Sequence, residues 1–138
     1  MYITLDDLKL AIDEDRLIEL TDDDRQGAVD ASRVDDAISA AQGEVDGYLQ
    51  ERYDVPLDPV PALVKGACRD ITVYHLYSRK VEEVPEVRQK RYDNAIKLLT
   101  KIAGGQISLG VATPPEESGS EPMRTSAPAV FFDNLDKF

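Results

Sequence analysis

The stretch from Asp22 to Arg33 has the makings of a ligand set. With Asp22 at position 1 of a calcium loop, Asp24, Gln26, Gly27 and Asp30 fall at positions 3, 5, 6 and 9. Position 12, where a working loop supplies a bidentate glutamate, is Arg33. A cation there replaces the strongest ligand, so the stretch reads instead as an acidic, solvated linker that ends by capping the next helix. Cys68 and His75 are the single cysteine and single histidine of the chain. Seven residues apart on one helix, they are separated by about 10 Å along its axis, beyond reach for a nucleophile and its base. Two ligands also fall short of four-coordinate zinc unless a carboxylate such as Asp70 is recruited. Both side chains are expected to line the core. No strand pattern carries a glycine-rich phosphate loop. Hence no catalytic residue, no metal and no cofactor is expected, and the chain is read as not an enzyme.

The elements around these residues read as all-α. At 138 residues, 42% hydrophobic and 31% charged, the chain suits one helical domain with an aliphatic core, since it has no Trp. No apolar run approaches the roughly 20 residues of a membrane span, and no basic-then-apolar opening suggests a secretory signal. One cysteine allows no internal disulfide, which favours a reducing compartment. A net charge of −11 repels phosphate rather than attracting it. The nearest basic group, Arg88, Lys90, Arg91 and Lys97, is interleaved with Glu83, Glu86 and Asp93 and reads as a solvated face with paired charges.

Thr4 with Asp7 three residues later marks the N-terminus of a short helix carrying Leu5, Leu8 and Ile12. A second short helix is predicted over 14–20, burying Leu17 and Leu20. The first long helix, near 30–53, carries Val34, Ile38, Ala41, Val45, Tyr48 and Leu49 at steps of three and four. Gly47 inside it implies a close-passing backbone, because glycine costs about 1 kcal/mol there. Pro56 ends this helix, and an extended elbow, 55–61, leads to Pro61 as the first residue of the next. That second long helix, near 61–78, is apolar over more than half its circumference and is therefore central, with Lys65, Arg69 and Thr72 on its wet edge. Pro85 starts the third, near 85–103, with Val87, Tyr92, Ala95, Ile96, Leu99 and Ile102 as its stripe and Gly104-Gly105 as its stop. Val45, Leu49, Leu63, Ile71, Ile96 and Leu99 are the predicted shared core.

The run Glu44-Val45-Asp46-Gly47-Tyr48-Leu49, then Arg52-Tyr53, then Val55-Pro56-Leu57 through Pro61-Ala62-Leu63, resembles the phage Mu-type head-to-tail connector (head completion) family. The opening Met1-Tyr2-Ile3-Thr4 with Leu8, the acidic linker and the ending Gly104-Gly105-Gln106-Ile107-Ser108-Leu109-Gly110 fit the same family. The resemblance covers about 110 residues and touches the last few. It marks Asp46, Gly47, Tyr48, Arg52, Tyr53, Pro56 and Pro61 as motif positions. It implies a structural virion protein, present in the host cytoplasm during assembly: a ring subunit joining portal and head to tail. Its implied partners are other copies of itself and the portal and tail-side proteins, with no membrane, and with DNA passing through but not specifically bound. An acidic chain suits such a channel, because a basic lumen would grip phosphates.

Three regions follow: a helical domain over 1–110, a Pro/Ser/Glu-rich tether over 111–128, and an aromatic segment over 129–138. All three phenylalanines fall in the last eight residues. Phe131, Phe132, Leu135 and Phe138 are the predicted partner-binding residues of an extended C-terminal arm. Composition alone leaves docking on another chain and folding back on the same bundle both open. A non-enzymatic adaptor acting as a monomer or dimer is the alternative reading, with the Phe-rich segment as its peptide ligand. A hydrolase is a third reading, and the lack of a histidine-based constellation counts against it.

Overall fold

The computed structural model describes residues 1–80 and 83–110. Thr4 opens α1 (Leu5–Ala11) with a capping box: its hydroxyl accepts from the Asp7 N–H at 3.3 Å, and the Asp7 carboxylate accepts from the Thr4 N–H at 2.9 Å. The short α2 (Glu14–Thr21) buries Leu17 and Leu20. Asp30 caps α3 (Ala31–Leu49) by accepting from the Ser32 and Arg33 N–H groups. The Pro61 carbonyl accepts from Lys65 at 3.0 Å to begin α4 (Ala62–Lys80), and that of Pro85 accepts from Gln89 at 3.0 Å to begin α5 (Glu86–Ala103). Pro61 thus stands one place before the first helical residue, at the cap rather than inside the helix. Among the described residues there is no strand. The fold is all-α, three long helices with two short ones at the N-terminus.

Helix α4 is the centre, flanked by α3 and α5 and covered by α1 and α2. Leu8, Leu17, Val34, Ile38, Val45, Leu49, Val64, Cys68, Ile71, Leu76, Leu99 and Ile102 are all fully buried in one cluster. Three expected members of the α4 and α5 stripes lie elsewhere. Leu63 is 45% exposed and Val87 57% exposed, while Ile96 is half-buried against the cluster. The reason for Leu63 is rotational. Val64, Ala67, Cys68 and Ile71 form the buried stripe, and a residue one place before Val64 is turned about 100° away.

Other expectations are corrected too. Thr72 is fully buried rather than on the wet edge. Its hydroxyl donates to the Cys68 carbonyl at 2.7 Å, so it needs no water. Helix α3 ends at Leu49, four residues short of the expected limit, because the Arg52 and Tyr53 N–H groups both turn back to the Leu49 carbonyl. That turn carries the Tyr53 ring into the core, where it is 5% exposed. Gly47 is exposed, and a Cβ placed there would meet nothing within 4 Å. No backbone crosses it. The elbow holds cis peptide bonds at Val55–Pro56 and Asp58–Pro59. Gly105 ends α5 in the left-handed region at φ +83°, and the Gln106 N–H reaches back to the Lys101 carbonyl at 2.9 Å.

Candidate functional site

The family-motif residues converge at one end of the bundle, and they act as clamps. The extended start of the chain lies against α3, where the Tyr2 N–H donates to Gln42 Oε1 at 2.9 Å. The buried Tyr2 hydroxyl donates to the Asp46 carboxylate and accepts from the Leu57 N–H at 2.9 Å. One phenol therefore joins the N-terminus, α3 and the elbow. Burial, the Asp46 hydrogen bond and its charge hold this phenol protonated far above the ordinary tyrosine range. Leu57, which the elbow carries inward, is 7% exposed.

Arg52 and Tyr53 make the second clamp. The Arg52 guanidinium lies over the turn that ends α5, so close that a Cβ at Gly105 would sit 2.9 Å from its central carbon. The Tyr53 hydroxyl accepts from the Leu109 N–H at 3.2 Å. Gly104 to Gly110 is thereby fastened to the end of α3. Asp46 thus belongs to the first clamp and Arg52 and Tyr53 to the second; Pro56 precedes Leu57 in the elbow, Pro61 stands at the start of α4, and Gly47 and Tyr48 do not take part in these bonds. Pro56 itself is exposed and Tyr48 half-buried.

A third cluster joins the three long helices midway. The Glu44 carboxylate accepts at both oxygens, from His75 Nε2 at 2.7 Å and from the Tyr92 hydroxyl at 2.9 Å. The Tyr92 ring stacks on Tyr74 with centroids 4.0 Å apart and planes 19° from parallel. Burial first, then the Glu44 hydrogen bond and charge, push the Tyr92 phenol up to about 12. His75, expected in the core, is instead only half-buried and held by a glutamate. Cys68 is fully buried, and burial pushes its thiol up to about 11, the opposite of an activated nucleophile.

The acidic loop is stitched by its own carboxylates. Asp22 accepts from the Gln26 and Gly27 N–H groups, both at 2.7 Å. Asp23 receives Arg33 at 3.1 Å and Arg79 at 2.7 Å. Arg33 also meets Asp30 at 3.3 Å. Arg79 donates in addition to the Leu20 carbonyl at 2.7 Å, tying the far end of α4 to α2. Among the described residues no group of three or more His, Cys, Asp or Glu side chains is arranged to hold a metal ion.

The basic group on α5 disperses. Arg88 turns inward over the Tyr77 ring, 5.9 Å from its centroid. Lys90 pairs with Glu86 at 3.6 Å, and Arg91 and Lys97 point to solvent. No described helix is long and apolar enough to cross a membrane. Phe131, Phe132, Leu135 and Phe138 lie outside the described residues, as do the tether and the arm.

Tyr2, Gln42, Glu44, Tyr74 and Tyr92 carry these joints without having been singled out for them. For Tyr2 and Tyr92 a signal existed: a tyrosine in an apolar pattern must still find a partner for its hydroxyl. The partners of Tyr2 lie 40 to 55 residues away, a separation that spacing does not encode.

Residues 2–126 match the family described as Bacteriophage Mu, Gp36, and the chain belongs to that phage protein family. It is 35% identical over 112 residues to the Mu-like prophage FluMu protein gp36 of Haemophilus influenzae, covering 80% of this chain and 77% of that protein. It is 29% identical over 112 residues to Gene product J of Escherichia phage Mu, with the same coverage of each chain.

Proposed function

We propose that this protein is a structural, non-enzymatic subunit of a ring that connects a phage head and portal to the tail. Family membership carries the reading. The motif residues support it by what they do: Asp46, Arg52, Tyr53 and the elbow around Pro56 hold separate pieces of backbone in fixed relation. A subunit that must present the same faces to many neighbours needs such rigidity. In the proposed assembly the protein contacts its own copies, the portal and tail-side proteins, and DNA passes without being specifically bound. The net charge of −11 suits a lumen through which phosphates must slide.

Native mass measurement at raised concentration, followed by imaging of the particles, tests this. Closed rings, together with heads that fail to join tails when the gene is deleted, are the expected result. A species that stays monomeric or dimeric at every concentration, with tails joining normally in the deletion, would favour the adaptor instead.

A further inference from the structure

The first half of α4 is flanked by two open grooves. One, of about 250 Å³, lies between α1 and α4 and is lined by Ile3, Asp7 and Leu10 on one side. The other, of about 270 Å³, lies between α4 and α5 and is lined by Leu63, Ala67, Ala95 and Leu98. Ala62 and Gly66 line both, so the two grooves meet across one helix ridge. Leu10 is 89% exposed and Leu63 45% exposed at this surface. Apolar side chains held in water beside apolar grooves mark a contact surface.

Gly66 strengthens the point. Glycine within a helix costs about 1 kcal/mol against alanine. The chain's own packing does not require it, since a Cβ there would meet only the Arg69 guanidinium at 3.8 Å. Its smallness instead keeps the shared floor open. Lys65 and Arg69 stand on the rim. Lys65 has no ion pair among the described residues. Among the described residues Arg69 forms an ion pair with the adjacent Asp70, at 3.6 Å, and its Nε is buried without a hydrogen bond.

We propose that these joined grooves receive residues 129–138 of a second copy of this chain. The inference rests on the ring reading and names the surface at which neighbouring copies lock. The segment offers Phe131, Leu135 and Phe138 at i, i+4 and i+7, the spacing with which a peptide helix presents anchors to a groove. Leu109, next to the last described residue before the tether, lies beside the end of α3, where its N–H meets Tyr53. Eighteen tether residues, 111–128, span up to about 60 Å when extended, enough to cross to the same end of a neighbour.

Two full-length preparations test it, one carrying Ala62→Cys on the ridge and the other Asn134→Cys with a size tag. The native Cys68 is buried and does not compete. Mixed and oxidised, they should give a disulfide-linked mixed dimer. Its yield should fall at least tenfold when the first chain also carries Gly66→Leu, which fills the common floor without disturbing the core. No mixed dimer, an unchanged yield with Gly66→Leu, or a doubly substituted chain that links only within itself would each overturn the proposal. Native mass on the same samples separates the two readings. Rings without the mixed link leave the ring standing and sink this surface. A mixed link in species no larger than dimers does the reverse.

Discussion

The two halves of α4 are equally apolar in sequence and opposite in use. From Ile71 to Tyr77 the helix has neighbours on nearly every side, and Ile71, Thr72, Val73, Leu76 and Tyr77 are all buried. From Ala62 to Gly66 only Val64 is buried, and Ala62, Leu63 and Lys65 face solvent. The same helix is thus core at one end and contact surface at the other. Hydrophobic content alone does not separate them. What does is whether a second element of the same chain is long enough to cover the face. Helices α1 and α2 together cover one flank of α4, but the groove beside Leu10 stays open.

The contrast can be broken by substitution. Ile71→Ala should cost about 2–5 kcal/mol in chemical denaturation, as expected for a fully buried side chain. A loss of a few tenths would show that the inner half is no better packed than the outer.

Alkali should act on the buried core next. Cys68 ordinarily ionises near 9 and is held up to about 11 in the fold. Because the folded value is the higher one, its stabilisation is fully present below pH 9 and is lost as pH rises through 11, on the order of 2 kcal/mol. Tyr92, raised from 10 to about 12, extends that loss upward. Stability measured against pH should fall across this window, and the first part of the fall should vanish in Cys68→Ala.

Tyr2→Phe keeps the ring but strands the buried Leu57 N–H and the Asp46 carboxylate, a cost of about 1–3 kcal/mol. Hydrogen exchange should show Leu57 losing protection while amides in α5 keep theirs.

Leu63→Ala should be the mildest, below about 0.5 kcal/mol, as for surface substitutions generally. A cost matching that of Ile71→Ala would erase the difference between the halves.

Periodicity locates all three long helices; Thr4 marks the start of α1 and Gly104-Gly105 the end of α5, while Pro85, like Pro61, stands one place before its helix. Periodicity misplaces Leu63, Val87 and Thr72 for one reason. A stripe wider than half a helix leaves its edges ambiguous by one residue, and one residue is about 100° of rotation. Pro56 predicts a later end for α3 than Leu49, because the sequence does not show that the Tyr53 ring turns inward before the proline is reached. Gly47 was read as a packing glycine, yet its surroundings are empty. Of the candidate site, the motif positions were legible through the resemblance, and their bonding was not. Asp46 meets Tyr2 across 44 residues, and Glu44 meets His75 across 31. Such pairs are created by the fold and have no local pattern.

The Tyr2 joint has a consequence for how the protein is made. The partners of Tyr2 are Gln42, Asp46 and Leu57, and Leu8 and Leu17 pack under α4, so residues 2–17 are made before the segments that cover them. The cover of Leu8 and Leu17 does not exist until α4 has been translated, several seconds later at roughly 5–20 residues per second. During that interval Ile3, Leu8, Ile12 and Leu17 remain without their native cover. The Tyr2 joint therefore closes only after α3 and the elbow are both in place.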